Sequence, residues 1–263
     1  MKEVWDTIVI GGGQAGLASG YHLQKKGLRF LILEANGQAV GSWPNYYDSL
    51  KLFSPARFSS LPGMKFPGAG DHYPLRDEVI RYLQEYAKKF MLPIQTNQRV
   101  ESVEKTGETF TIRTVSGDRY ESRTVINAAG AFHHPFMPAI KGQEVFQGNI
   151  LHSSEYRNPI PFVNQRVLVV GAGNSAVQIA VELAELSRTS LAVLRPVKFV
   201  KQRILGQDLH FWNRAFGFDT FPIWRFGDVA PRSRAVIDLG NYKACLAAGK
   251  PDQRLMFSSF HAD

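Results

Sequence analysis

Two stretches of sequence decide the fold: TIVIGGGQAG, from Thr7 to Gly16, and RVLVVGAGNSA, from Arg166 to Ala176. In each, a short apolar run typical of a buried parallel strand leads into a glycine-rich loop, and a helical pattern follows. In a loop of this kind the first glycine allows a tight turn, the second lets a pyrophosphate reach the backbone, and the third packs the helix against the strand. The N-terminus of the helix offers N–H groups and positive potential to the phosphates. Two such loops predict two bound dinucleotides.

Each loop lies within a strand–helix–strand pattern, which predicts an α/β fold of two Rossmann-like dinucleotide-binding domains with parallel sheets. The predicted strand, helix and strand cover residues 4–10, 14–26 and 28–33 in the first unit and 166–170, 174–186 and 190–194 in the second. Apolar residues at helical spacing predict a further helix over 77–90, and alternating residues predict a small antiparallel β-meander over 99–127. The proline-containing stretch 157–165 has no periodicity, so we expect one domain over residues 1–160 and another over 161–263.

The residue at the end of the second strand of each unit predicts which nucleotide is bound. Glu34 in the first unit is placed to accept hydrogen bonds from both hydroxyls of a ribose. Arg195 takes the equivalent place in the second unit, where a guanidinium that grips a 2′-phosphate would favour NADPH over NADH by roughly ten- to hundredfold. The alternatives are that Glu34 is a surface carboxylate and that Arg195 points to solvent, so that both nucleotides are accepted. Lys198, Lys201 and Arg203 lie close by in sequence and offer other cations for the same role.

Composition argues against several other classes of protein. The 263 residues carry a net charge of +8, but the 31 basic and 23 acidic residues are interspersed, so we expect no nucleic-acid partner. The apolar stretches are too short for a membrane span, and no basic stretch precedes an apolar core at the N-terminus as a secretory signal requires. Cys245 is the single cysteine, which excludes an internal disulfide and a CxxC redox pair and favours a reducing, cytoplasmic setting. His133 and His134 are adjacent and so face different ways, with no Cys or carboxylate cluster in support, and we predict no metal site.

The segment between the two loops carries a family resemblance. FQGNILHSSEY, from Phe146 to Tyr156, matches the pattern FxGxxxHxxxY and resembles the signature of the flavin-containing monooxygenases. The Baeyer-Villiger monooxygenases are similar, but their version ends in Trp followed by Pro or Asp, where this chain has Tyr156 and Arg157. Gly41-Ser42-Trp43 and Ala129-Gly130 add to the likeness, which extends over essentially the whole chain and is strongest to the small bacterial branch of the family.

The resemblance implies an FAD in the domain of residues 1–160 and an NADPH in the domain of residues 161–263. It implies that hydride passes from nicotinamide to flavin, and that a C4a-hydroperoxyflavin formed with O2 then transfers one oxygen atom to a soft nucleophile, sulfur or nitrogen, of a small-molecule substrate. The residues implied to contact FAD are Gly11, Gly13, Gln14, Ala15, Gly16, Glu34, Ser42, Trp43, Val100, Ala129 and Gly130. Those implied to contact NADPH are Gly171, Gly173, Asn174, Ser175, Ala176 and Arg195.

The resemblance names no acid–base pair, because the cofactor supplies the chemistry. His152 and Tyr156 are implied to be positioning residues of a hinge beside the nucleotide. The alternative for His152 is a satisfied, half-buried imidazole, and the alternative for Trp43 is core packing rather than a place near the flavin.

Two other functions remain open at this point: an NADPH-dependent flavin reductase or electron donor, and an inactive nucleotide-binding fragment. The family resemblance implies roughly a third more chain than these 263 residues. We therefore expect that residues 258–263 stop inside a strand and that the FAD domain lacks its last strand. The unpaired sheet edge and exposed apolar surface would favour association into a homo-oligomer or partial unfolding.

Overall fold

The computed structural model of the chain describes residues 4–131, 135–218, 220, 222 and 235–261. His133 and His134, considered above for a metal, lie outside the described residues. The chain divides into two compact units, residues 1–135 and residues 136–263. Across the described ranges no helix is both long and apolar enough to cross a bilayer, and no group of three His, Cys, Asp or Glu side chains is placed to hold a metal ion.

The first unit is built on one six-stranded sheet. Its strands are β1 (Val4–Ile10), β2 (Phe30–Leu33), β3 (Ile94–Gln95), β4 (Val100–Thr106), β5 (Thr109–Thr114) and β6 (Arg119–Asn127), in the spatial order β3-β2-β1-β6-β5-β4. The strands β3, β2, β1 and β6 run parallel, whereas β5 and β4 continue the sheet antiparallel. Two helices accompany the sheet, α1 (Gln14–Lys25) and α2 (Arg76–Lys89), together with 3₁₀ helices at Trp43–Asn45 and Ala56–Phe58.

The predicted meander is present but is not a separate layer. Its three strands form as expected, and the third, β6, pairs in parallel with β1 so that Asn127 lies opposite Ile10. This pairing makes the meander the continuation of the parallel sheet. It also brings the chain after β6 to the same edge of the sheet as the first glycine loop.

The core of the first unit follows from its apolar pattern. Helix α1 packs so closely on the sheet that a Cβ at Gly20 would lie 2.9 Å from the side chain of Ile32. Helix α2 buries Val79, Tyr82, Leu83 and Tyr86 in the same cluster, which is the face that the 3.6-residue spacing predicted.

The described residues of the second unit form three small groups of strands. They are a parallel sheet β13-β8-β7, a parallel pair β12-β9 and an antiparallel hairpin β10-β11. The elements are β7 (Arg166–Val170), α3 (Asn174–Leu183), β8 (Arg188–Val193), β9 (Phe199–Lys201), β10 (Arg203–Ile204), β11 (Gln207–Asp208), α4 (Leu209–Ala215), β12 (Val236–Asp238), α5 (Tyr242–Ala247) and β13 (Asp252–Leu255). The strand–helix–strand pattern predicted for the second glycine loop is therefore confirmed, with β7, α3 and β8 in the expected order.

Three boundaries in this unit differ from the prediction, one of them the start of β8 at Arg188 rather than 190. Helix α3 ends at Leu183 rather than 186, because the hydroxyl of Ser187 donates to the Leu183 carbonyl at 2.7 Å and the chain turns there into β8. Strand β8 ends at Val193, so Arg195 lies two residues beyond the strand rather than at its end.

The segment before β7 belongs to the second unit. The Phe260 amide donates to the Lys141 carbonyl at 2.7 Å, and the Phe146 and Phe260 rings lie 5.1 Å apart. These contacts explain why the two units divide at residue 135, whereas the sequence placed its boundary at residue 160. Residues near the C-terminus, expected inside a strand, form a single bridge between Ser259 and Lys141. The fold does not test which nucleotide each unit binds, and that assignment stays a prediction.

Candidate nucleotide-binding loops

The first glycine loop joins β1 to α1, and two of its glycines are required by contact with backbone. Gly11 has φ +104°, and a Cβ there would lie 2.4 Å from the carbonyl oxygen of Ala128. A Cβ at Gly16 would lie 1.8 Å from the carbonyl oxygen of Gly11. Real Cβ atoms do not approach backbone this closely, so any side chain at either position displaces the loop. The loop is shaped by its surroundings as well as by its own turn.

The N-terminus of α1 is suited to an anion. Gly13 is the N-cap residue and offers no side chain to cap the helix, and no acidic residue occupies the first turn. The first N–H groups of a helix have no partner within the helix, and they lie at its positive end. Gln14, Ala15 and Gly16, predicted to contact FAD, supply these groups.

A second wall of this loop is formed by the segment that follows β2. Gly41 has φ +58°, and a Cβ there would lie 2.8 Å from the Cα of Gly13. Asn36 Nδ2 donates to the Gly41 carbonyl at 3.2 Å, and Trp43 Nε1 donates to Gln14 Oε1 at 2.9 Å. Ser42 and Trp43 are thus held against the glycine loop, although they lie about thirty residues further along the chain. Trp43 also packs on the core of the unit, as its alternative interpretation expected, and its place near a flavin stays a prediction.

Glu34 is buried beside the loop, with 2% of its surface exposed. Its Oε2 accepts from the Gly12 amide at 2.6 Å, and its Oε1 accepts from the Asn36 amide at 2.8 Å. A surface carboxylate is therefore the wrong interpretation. Each carboxylate oxygen has a second lone pair, so two backbone bonds leave acceptor capacity for ribose hydroxyls, and that contact stays a prediction.

The residues after β6 approach the loop closely, because their side chains are small. The Ala128 amide donates to the Ile10 carbonyl at 2.8 Å, and Ala129 Cα would lie 3.1 Å from a Cβ at Gly11. Gly130 follows with φ +83°. Val100, at the start of β4, packs on a hydrophobic cluster of β-sheet residues, which gives it a structural role whatever it contacts in a complex.

A cavity of about 250 Å³ lies in the first unit beside Gln14 and Trp43. Its walls are mainly apolar and aromatic, with three serine residues among them; they are formed by Leu52, Ser54, Phe58, Ser59, Ser60, Leu61, Phe66, Val79, Tyr82 and Leu83. Tyr82 anchors the cavity wall, since its hydroxyl donates to the Met64 carbonyl and accepts from the Leu61 amide, both at 2.7 Å. Burial raises the pKa of Tyr82, so the hydroxyl remains a donor at neutral pH.

The second glycine loop, between β7 and α3, is more open. Gly171 has φ +130°, and a Cβ there would lie 3.4 Å from the Cβ of Ala176. A Cβ at Gly173, the N-cap of α3, would meet no atom within 4 Å. Ser175 is exposed in the first turn of the helix, where no acidic residue lies. Asn174 Oδ1 accepts from the Ile237 amide at 3.0 Å and so connects the helix N-terminus to β12.

Arg195 is exposed, and Lys198 and Lys201 are exposed close to it in sequence. The structure therefore keeps the guanidinium accessible to a phosphate without assigning it a partner. Whether it contacts the 2′-phosphate of NADPH or points to solvent stays a prediction.

The signature residues His152 and Tyr156 have different surroundings. The Ser154 amide donates to His152 Nδ1 at 3.1 Å, so the neutral imidazole carries its hydrogen on Nε2. Tyr156 is 5% exposed, and its hydroxyl donates to Glu182 Oε2, on α3, at 2.8 Å. His152 is half-buried, as expected for the alternative of a satisfied imidazole. Tyr156 connects the segment to α3, the helix that follows the second loop.

Sequence reasoning missed three residues of these sites, and each lacks a strong signal of its own. Gly12 lies at a variable position of the motif, but a Cβ there would come 3.0 Å from Glu34 Oε2. Asn36 follows the second strand by three residues, and its role depends on the path of the loop. Glu182 resembles any polar residue on a helix, although a carboxylate near a helix C-terminus is unfavourable and could have drawn attention.

Comparison with known proteins places these loops in a family. A family model described as pyridine nucleotide-disulphide oxidoreductase matches residues 8–203. An uncharacterized CzcO-like oxidoreductase of Geobacillus kaustophilus is 41% identical over 220 residues, which cover 82% of this chain and 62% of the relative. Indole-3-pyruvate monooxygenase YUCCA4 of Oryza sativa is 33% identical over 222 residues, which cover 78% of this chain and 51% of the relative.

Among solved structures, a flavin-containing monooxygenase from Stenotrophomonas maltophilia is similar over 99% of this chain and 72% of its own, with 32% identity and a TM-score of 0.83. The chain spans about three fifths of the length of the CzcO-type relatives that it matches.

Proposed function

Because the chain belongs to the flavin-containing monooxygenases and matches the family model of the pyridine nucleotide-disulphide oxidoreductases, we propose that it binds FAD at the first loop and NADPH at the second and serves oxygen transfer. The observation that carries the proposal is the pair of strand–loop–helix units, each with a glycine N-cap and no acidic residue in the first helical turn. Each therefore presents backbone N–H groups and positive potential to a pyrophosphate.

The residues of the first loop fit FAD. A Cβ at Gly11 or Gly16 would collide with the backbone of Ala128 or Gly11, so both glycines serve the tight turn and the close helix–strand packing of a dinucleotide-binding loop. Glu34, fixed by two backbone N–H groups, would hold the ribose hydroxyls without reorganisation. Gln14 and Trp43 would bound the site on the side of the cavity.

The residues of the second loop fit NADPH. Gly173 and the first turn of α3 would receive the pyrophosphate, and the exposed Arg195 would contact the 2′-phosphate as a bidentate, charge-assisted donor. No carboxylate lies in this position to repel the phosphate, in contrast to Glu34 in the first unit.

FAD, when bound, would accept a hydride from NADPH and enable O2 to deliver one oxygen atom to sulfur or nitrogen of a small-molecule substrate, while the other oxygen atom leaves as water. The part of this chain is to bind both nucleotides and to exclude water from the flavin face. These 263 residues contain one cysteine, so they cannot supply the dithiol pair of a disulfide reductase. That single cysteine also suits the cytoplasmic setting that we propose.

The test is product analysis under ¹⁸O2 with NADPH and the thioether thioanisole as the probe. A sulfoxide carrying one ¹⁸O per NADPH consumed is the expected result. If the only oxygen-derived product is hydrogen peroxide, with steady NADPH oxidation and reduction of a quinone acceptor, the protein is a flavin reductase and not an oxygen-transferring enzyme. If the purified chain shows no bound-flavin absorbance near 450 nm, even after incubation with FAD, the result supports an inactive nucleotide-binding fragment.

A further inference from the structure

At its C-terminal end, the signature segment makes a polar contact with helix α3 of the second unit. Tyr156 is 5% exposed and donates from its hydroxyl to Glu182 Oε2 at 2.8 Å, while its ring lies 6.0 Å from that of Phe162. A hydrogen bond to a carboxylate is about twice as strong as one between neutral groups. This contact therefore sets the position of the segment relative to helix α3.

The position of Glu182 is otherwise unfavourable. It is the second-last residue of α3, where the negative end of the helix dipole repels a carboxylate. Its charge also acts on Tyr242, whose pKa is raised by burial first and then by Asp238 and Glu182. The hydrogen bond from the Tyr156 hydroxyl offsets part of this cost.

Helix α3 connects this contact to the second glycine loop. The helix begins at Asn174, beside Gly173, and Glu182 lies eight residues later on the same rigid element, about 12 Å along its axis. His152 lies four residues before Tyr156, and its amide donates to Glu155 Oε2 at 2.8 Å within the same tight turn. The chain of contacts thus runs from the loop through α3 to Glu182, Tyr156 and the turn that bears His152.

We propose that Glu182 is a positioning residue that couples nucleotide binding at the second loop to the order of residues 152–156. The inference rests on the proposed function, since the ligand at the N-terminus of α3 is NADPH. Binding there fixes α3, and the carboxylate of Glu182 transmits this constraint to Tyr156 and so to the turn of His152. Without Glu182 the loop still binds, but the segment is no longer ordered by the ligand.

Hydrogen exchange measured by mass spectrometry tests the coupling in the full chain with and without NADPH. In the natural protein, NADPH should slow exchange both at residues 171–177 and at residues 152–156. In Glu182→Ala the slowing at 171–177 should remain, while the slowing at 152–156 should fall by about tenfold, the value of a charge-assisted hydrogen bond. Glu182→Gln keeps an acceptor for the Tyr156 hydroxyl and should restore most of the effect.

Glu185→Ala is the matched control, because it removes an exposed carboxylate three residues further on. It should behave as the natural protein, which separates the contact from the loss of a charge. Tyr156→Phe removes the donor of the same hydrogen bond, and it replaces Glu182→Ala in the test if that variant does not fold. In the enzyme loaded with FAD, Glu182→Ala should lower the rate of flavin reduction while leaving KM for NADPH within about threefold.

The outcomes are distinguishable. Equal slowing at residues 152–156 in the natural protein and in Glu182→Ala, with the loop protected in both, overturns the positioning role and leaves the proposed function intact. Absence of any slowing at 171–177 in the natural protein overturns NADPH binding there, and the coupling with it.

Discussion

The two glycine loops share one motif but lie in different surroundings. In the first, a Cβ at Gly11 or Gly16 would collide with backbone, and Gly13 lies against Gly41 of a second segment. In the second, Gly173 has open space around it, and Ala176 takes the place of the third glycine. The motif alone therefore fixes the turn, while the neighbouring segments decide how enclosed the site becomes.

This difference matches the two roles proposed for the nucleotides. An enclosed loop suits a prosthetic group that stays bound. Neighbouring backbone encloses the first loop, and the carboxylate of Glu34 beside it is held by two backbone hydrogen bonds. A cosubstrate that leaves in every turnover is suited by an open loop and an exposed cation such as Arg195. The following predictions test whether enclosure separates the two sites.

The largest effect is expected for a methyl group added inside the first loop. Gly16→Ala places a Cβ 1.8 Å from the Gly11 carbonyl oxygen, so β1, α1 and the loop must shift apart. We expect the free energy of unfolding to fall by about 3 kcal/mol and FAD to be lost. Denaturant titration and flavin content measure both.

Gly173→Ala is the internal control in the second loop, since its Cβ meets nothing within 4 Å and its φ is −86°. The unfolding free energy should change by less than about 1 kcal/mol, the cost of replacing a glycine N-cap. Equal losses in the two variants would contradict the claim that the first loop is enclosed and the second open.

The next effect concerns the buried carboxylate. Glu34→Gln turns an amide NH2 toward one of the two backbone N–H groups that Glu34 now accepts from, Gly12 or Asn36. A buried donor left without an acceptor costs about 1 to 3 kcal/mol, so the first unit should lose stability and FAD affinity together. Glu101→Gln, on an exposed position of β4, is the control. An unchanged dissociation constant for FAD in Glu34→Gln would show that Glu34 does not contribute to FAD binding.

A smaller effect is expected at the open loop. Arg195→Ala should raise KM for NADPH by about tenfold and leave KM for NADH unchanged, because an exposed charge contact lies at the weak end of its range. Stability should not change. Arg188→Ala, at the exposed start of β8, controls for the loss of a positive charge. Equal effects on both nucleotides would exclude contact with the 2′-phosphate.

Much of the fold was predictable because apolar periodicity and glycine spacing are local signals. Strands β1 and β7 have the predicted bounds, and α1 and α2 are offset by one residue. What differed depended on individual hydrogen bonds and contacts that apolar periodicity does not record. The end of α3 is set by the Ser187 hydroxyl, and the place of the segment before β7 is set by contacts with residues near Phe260.

The candidate sites show the same division. The loops and the close approach of Ala128 were predictable, since glycine and small residues have a direct conformational meaning. The bonds of Glu34 to Gly12 and Asn36, the bond of Trp43 to Gln14 and that of Tyr156 to Glu182 were not. Each of these bonds joins residues about 20 to 30 positions apart or depends on the path of a loop. The periodicity of apolar residues in the sequence does not predict such pairs.

The smallest expected effect tests whether the enclosure of the first loop depends on α2, whose N-terminus anchors the segment after Trp43 through Leu75 and Arg76. The pKa of Glu78 is lowered by the Leu75 amide first and by His72 second. A depressed pKa means that this contribution is present above the ordinary value of 4.5 and is lost as pH falls below it. In Glu78→Gln, the protection factors of the α2 amides, which correct for the intrinsic pH dependence of exchange, should lose their pH dependence between about pH 5 and 3, while those of α3 stay unchanged. Glu85→Gln, exposed on the same helix, should keep the dependence. If α3 responded equally, the enclosure of the first loop would not be a local property of its unit.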